Sequence, residues 1–150
     1  MITVACGRSA NIDNTSRDPR TGSITKSGDI GTQRLRYGDC FNDPSGSTTV
    51  VVRGVPCLRA HQSQVAALLE LPDDPAAEWP GAGSLGDRSR SLCFGAAADA
   101  LGGSLTDPTV GLSAYVPDQK SWEAGDRRIV CVLGRFDGSP LTGSLFDSST

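Results

Sequence analysis

The chain has few aromatic residues, a single histidine and no long apolar run. Of its 150 residues, 5% are aromatic and 37% hydrophobic, so a core built from them is aliphatic and modest. No stretch approaches the ~20 consecutive apolar residues that a bilayer-spanning helix needs. With His61 as the only histidine, a four-ligand metal site would have to use nearly every cysteine left over, and no two cysteines have Cys-x-x-Cys spacing. The Gly-x-x-x-x-Gly-Lys order of a phosphate-cradling loop is also absent. No metal and no cofactor is therefore expected.

Basic clusters are missing as well. Residues 1–36 carry six Lys and Arg against three Asp, a net of +3, and residues 37–150 carry eight basic against 14 acidic groups, a net of −6. Affinity for nucleic acid starts from clustered Lys and Arg, so an acidic body argues against a nucleic-acid partner. The basic leader is open to two readings, contact with an anionic membrane surface or a solvated tether.

What is present is an organised set of cysteines. Cys40, Cys57, Cys93 and Cys131 sit in apolar or glycine-bounded frames, whereas Cys6 lies in a leader rich in Gly, Ser, Thr, Asn and Asp. An even set in the body and one odd cysteine outside it is the pattern of two disulfides plus a separately used thiol, which points outside the reducing cytosol. Four reduced, buried cysteines in a cytosolic domain are the competing reading. The expected pairing is Cys40 with Cys57, stapling a β-ribbon, and Cys93 with Cys131, stapling a helix to a strand. In the chain-entropy picture these closures contribute about 3 and about 4 kcal/mol. Met1–Cys6 resembles the last residues of a bacterial lipoprotein signal without the apolar stretch that precedes them, which makes Cys6 a candidate for lipidation.

A length of 150 residues suits one domain with a tail. Residues 7–34 have no helix or strand period, so 1–34 is read as a flexible tether and 35–147 as the folded domain. Thr48–Arg53 is almost wholly β-branched and reads as a strand. Residues 60–71 fit either a helix face or a buried strand. Leu85–Leu101 reads as the main helix, with Ser84 and Asp87 in capping-box spacing, an apolar face of Leu85, Leu92, Cys93, Ala96, Ala97 and Leu101, and Gly102-Gly103 as a left-handed stop. Val110–Val116 and Arg128–Leu133 read as strands. The fold class is α+β: a small disulfide-stapled domain of mostly antiparallel strands with one main helix.

Candidate chemistry is sparse. Cys57 and His61 are four apart, close enough for a nucleophile and base on a helix, but Cys57 belongs to the set expected to be oxidised. His61 is instead read as a fixed structural or ligand-contacting residue. If it is buried and hydrogen-bonded, stability should vary with pH between roughly 5 and 7. The 17 acidic residues show no spacing that selects an acid–base pair, so no catalytic residue is assigned. Trp122, beside Arg127, either anchors a glycan or peptide or caps a core short of aromatics. Trp79 is a large apolar anchor at the start of a loop.

Taken in order, Gly38-Asp39-Cys40-Phe41, Val55-Pro56-Cys57 with His61 and Val65, Trp79-Pro80-Gly81, Cys93, Pro117, Ser121-Trp122 with Gly125-Asp126-Arg127, Cys131-x-Leu133 and Leu141-Thr142-Gly143-Ser144-Leu145 resemble the septum formation domain of actinobacterial envelope proteins. The resemblance spans residues 36–146. It departs from the family pattern at Ala60, where proline is usual, and at Gln64, where an acidic residue is usual. It implies a domain held at the outer face of the bacterial plasma membrane by a transmembrane segment or lipid, and assigns no reaction. The expected function is a non-catalytic, extracytoplasmic binding or structural module of septum formation or wall assembly. Its partner would be an envelope or membrane protein or a wall component, with His61, Trp79, Trp122 and Arg127 as candidate contacts. A secreted enzyme acting on wall polymers and a stabilising subunit of a membrane complex are the alternatives.

Overall fold

The computed structural model describes residues 11–43, 51–103 and 107–146. Cys6 and the first half of the strand expected at Thr48–Arg53 lie outside these residues. The fold is a small α+β domain with one main helix and mostly antiparallel strands. In chain order the strands are β1 (Ser16–Arg17), β2 (Ile24–Lys26), β3 (Gly28–Gly31), β4 (Cys40–Asn42), β5 (Val51–Val55) and β6 (Ser63–Glu70), followed by the main helix α1 (Ala82–Ala100). Strand β7 (Val110–Tyr115), a short helix α2 (Gln119–Glu123) and strand β8 (Arg128–Arg135) complete it. β1 and β2 form a ribbon, and the other six strands form one sheet in the order β3-β5-β4-β6-β8-β7.

The ambiguity at residues 60–71 resolves as strand. β6 sits between β4 and β8, and a central strand covered on both faces reads as a nearly continuous apolar run, which periodicity cannot separate from a buried helix. Its register with β8 shifts between Val65 and Ala67. The sheet has a core on each face. On the side of α1, its Leu85 and Cys93 meet Leu71, Trp122, Ile129 and Cys131. On the other side Ile30, Leu35, Phe41, Val52, Val65, Val130 and Val132 meet, so the β3-β5-β4 half curls toward β6 and β8.

The disulfides fasten these layers. Cys40 on β4 bonds Cys57 just beyond its neighbour β5, and Cys93 on α1 bonds Cys131 on β8. Helix α1 buries Leu85, Ser89, Cys93 and Ala97 at intervals of four, the spacing that keeps side chains on one stripe. Leu92, expected on that stripe, is one position round and exposed. The helix starts earlier than expected, at Ala82 after Gly81 (φ 94°), with no side-chain cap, so Ser84 and Asp87 stand inside the first turns and do not cap it. It stops as expected, at Gly102 and Gly103 with φ of 83° and 128°.

The expected flexible tether over 1–34 is corrected from residue 11 onward. Ile24 and Ile30 are buried, and β3 is a strand of the main sheet. Arg17 makes a two-pronged pair with the buried Asp39, Nη1 to Oδ1 and Nη2 to Oδ2 both at 2.8 Å, pinning the ribbon to the turn before Cys40. Gly28 faces the backbone of Asn14 so closely that no side chain fits between them. Polar composition here reflects a thin, two-sided ribbon whose order comes from backbone pairing, ion pairs of Arg17 with Asp13 and Asp39 and of Asp29 with Arg53, and two isoleucines.

Tyr115 at the end of β7 donates its hydroxyl to Asp43 at 2.7 Å and packs against Phe41, with ring centroids 6.1 Å apart, tying β7 to β4. Burial, and then the Asp43 carboxylate, push the phenol pKa far above its ordinary value of 10.0. The folded protein thus favours the neutral phenol. That stability is complete below the unfolded pKa and falls as pH rises past about 10. Urea unfolding of wild type should weaken steadily above that pH, and Tyr115→Phe should flatten the alkaline slope; an unchanged slope would refute this role.

Candidate functional site

Helix α2 is set by Asp118, which accepts from Ser121 N at 2.8 Å while Ser121 Oγ accepts from Asp118 N at 3.1 Å. This reciprocal cap after Pro117 is the sequence signal by which α2 could have been found. The cap aims Trp122 inward, fully buried, with its indole N–H donated to Ala77 O at 2.8 Å. Gly125 (φ 101°) then turns the chain into β8.

That turn places Arg127 over the indole, its guanidinium carbon 3.6 Å from the ring centroid. Arg127 donates to Trp122 O and Asp126 O, each at 2.8 Å, and to Asp74 O at 2.9 Å and Pro75 O at 3.2 Å. Trp79 closes the arrangement edge-on to Trp122, with centroids 6.0 Å apart at 68°. The loop is also held from α1, where Arg88 donates to Asp73 at 2.9 Å, a hydrogen bond that keeps the Asp73 carboxyl below its ordinary range.

The product of these contacts is a rigid rim over residues 74–79. It opposes α2 across a cleft of about 480 Å³ lined by Pro75, Ala76, Ala77, Glu78, Trp79, Gln119 and Glu123. Glu78 is exposed, and Glu123 accepts from Gln119 Nε2 at 3.1 Å. A half-buried indole beside carboxylates and an amide suits ligands with flat apolar faces and hydroxyl or ammonium groups; it is ill suited to anions.

Of the four candidate contacts, Trp79 alone lines the cleft. Trp122 and Arg127 are 0% and 6% exposed and support the rim from beneath, so neither presents its polar groups to a ligand. Sequence reasoning did not single out Glu78, Gln119 or Glu123, because their relevance depends on α2 facing a loop some 40 residues away.

His61 belongs to a second cluster. It is 1% exposed, its backbone pairs in both directions with Leu141, and Nδ1 lies 2.8 Å from Arg59 O, while Nε2 has no partner among the described residues. Beside it the buried Gln64 donates to Gly38 O at 3.0 Å and Ser144 Oγ at 2.9 Å and accepts from Leu145 N at 2.7 Å. A carboxylate there could accept but not donate, so the amide fits this position as the usual acid would not. Gly143 N donates to Cys57 O at 2.7 Å, and residues 141–145 are thereby fastened over the Cys40–Cys57 link. Cys57 is oxidised, so it supplies no thiol for His61 to activate. Among the described residues no group of three or more His, Cys, Asp and Glu is placed to hold a metal ion.

The septum formation family matches residues 2–131, which takes in the N-terminal ribbon, both disulfides and the whole Trp79–Trp122–Arg127 arrangement. This chain belongs to that family. The match starts well before the resemblance at residue 36, consistent with the ribbon being part of the domain. No curated protein and no solved structure matches the chain. No helix among the described residues is long and apolar enough to cross a membrane.

Proposed function

We propose that this septum formation protein is a non-catalytic, extracytoplasmic module that binds a wall component or envelope protein during septation or wall assembly. The observation that carries the reading is the Trp79 cleft. Its rim is held by a buried arginine bonding four carbonyls, so the indole surface is preorganised, and a preorganised aromatic surface lowers the ordering cost of binding. Two disulfides favour an oxidising compartment, which supports a place at the outer face of a bacterial plasma membrane, as in the actinobacterial proteins it resembles. Attachment there runs through the N-terminus, with Cys6 as the lipidation site.

The test is cosedimentation with isolated cell-wall sacculi, together with a photo-crosslinker at position 79 in intact cells. Trp79→Ala should weaken retention about tenfold, the size of a modest aromatic hot spot, while lowering stability by only about 1 kcal/mol and leaving the domain folded. Retention unaffected by Trp79→Ala, or no retention and no envelope product crosslinked, would overturn the reading. Cys6→Ser should release the protein from the membrane fraction at unchanged stability.

One feature favours an enzyme acting on wall polymers, namely that Glu78 and Glu123 share the cleft. Fragment release from sacculi that either Glu78→Gln or Glu123→Gln abolished, with the fold intact, would replace the binding reading.

A further inference from the structure

The two edges of the six-stranded sheet are treated differently. At β3, residues 12–14 run alongside as a seventh partner: Asp13 bridges Ile30, Asn14 N donates to Asp29 O at 2.8 Å and Gly31 N to Ile12 O at 2.8 Å. At β7 nothing among the described residues pairs with the outer side. The direction of its free groups follows from the register. Phe136 N donates to Thr109 O at 2.9 Å, and the pairing continues as Val110↔Arg135 through Tyr115↔Val130 without a bulge. Antiparallel pairs alternate between bonded and unbonded. Gly111, Ser113 and Tyr115 therefore bond β8, and the N–H and C=O groups of Leu112 and Ala114 point outward.

Natural edge strands are blunted by lysine, proline, bulges or inward charges. Val110-Gly111-Leu112-Ser113-Ala114-Tyr115 contains no charged residue, no proline and no irregularity. From this geometry we infer that β7 is an interface for a second copy of this chain, the two β7 strands pairing antiparallel about a two-fold axis through Ser113 to join the sheets of two molecules.

The register is limited by the strand's end at Tyr115, since a pairing centred on Ala114 would need Val116, and by one group already used. Val110 N donates to Asp107 O at 3.1 Å and is not free, so a pairing centred on Leu112, which needs it, is disfavoured. Centred on Ser113, Leu112 of each copy faces Ala114 of the other, and all four outward donors and all four acceptors of those residues are satisfied. An uncharged strand is self-complementary in this arrangement, with no like charges opposed. The inference uses neither the cleft nor its ligand, so it stands or falls separately from the binding role.

The full chain carrying Cys6→Ser, examined by sedimentation across a concentration series, should show a reversible monomer–dimer equilibrium. At the axis the two Ser113 residues form an unbonded pair with Cα atoms about 4.5 Å apart, within disulfide reach. Ser113→Cys should thus give a reducible covalent dimer under mild oxidation, and Gly111→Cys should not. Ala114→Pro removes an outward N–H and none of the bonds to β8, so it should abolish the dimer while leaving the unfolding cooperative. Ser113→Lys, placing two ammonium groups across the axis, should do the same and covers the case in which the proline variant fails to fold. By NMR, amide exchange at Leu112 and Ala114 should slow as concentration rises while that at Ser113 stays constant. A monomer at all concentrations, a dimer that survives Ser113→Lys, or protection of Leu112 and Ala114 only on adding an unrelated extended peptide would each overturn the proposal.

Discussion

Replacing Cys93 and Cys131 together by alanine should lower the unfolding free energy by about 4 kcal/mol, against about 3 kcal/mol for Cys40 with Cys57. The ranking follows from what each bond closes. Cys93 and Cys131 are 38 positions apart, both are fully buried, and the chain between them includes β7 and α2. Without the bond that span gains conformational freedom in the unfolded state, and α1 is held to β8 by packing alone. Cys40 and Cys57 close 17 positions, where β4 and β5 already pair and Gln64 and residues 141–145 fasten the same corner. Loss of packing at buried sulfurs adds to the first effect. Denaturant unfolding of the two double variants measures both. Equal losses would show that corner contacts do not compensate, and a loss below about 1 kcal/mol at Cys93–Cys131 would show that packing holds α1 without the bond.

How much of this was legible beforehand depended on whether an element carries its own periodic signal. Helix α1 and strand β8 do: one repeats apolar positions every three or four residues and ends at two glycines, the other alternates Ile129, Cys131 and Leu133 toward the helix. With those two placed, Cys93 and Cys131 both face the core, and their bond is one of the three pairings that four cysteines allow. The ribbon over residues 11–31 has no such signal, since its strands are two to four residues long and its order depends on Arg17 reaching Asp39, a contact between residues 22 apart. Helix α2 spans five residues and is marked by a capping pair with serine where Glu or Gln is usual. The cleft was half legible. Trp79, Trp122 and Arg127 are residue types that bind ligands, but tryptophan and arginine beside each other also build cores, and only placement shows that one faces the cleft and two support it.

Arg127→Leu should cost about 3 kcal/mol and should also loosen the cleft. The side chain bonds only carbonyls, two on its own side of the turn and two in the loop at Asp74 and Pro75, so its removal leaves the buried Trp122 O and three part-buried acceptors without their partner. Leucine fills some of the volume and satisfies none of them. Lysine keeps the charge but not the planar fork: it cannot reach four oxygens while lying flat on the Trp122 ring, and Arg127→Lys should recover less than half of the loss. Two readouts separate this account from a plain loss of burial. Denaturant unfolding gives the stability change, and tryptophan emission should move to longer wavelength under native conditions, because the 74–79 segment that shields Trp79 and accepts the Trp122 N–H is no longer tied down. Retention on sacculi should fall in parallel with that emission shift even where the rest of the domain stays folded, since the rim and not the arginine forms the binding surface. A loss under about 1 kcal/mol with unchanged emission would show that Trp122 and Trp79 fix the rim by packing, leaving the guanidinium incidental to it.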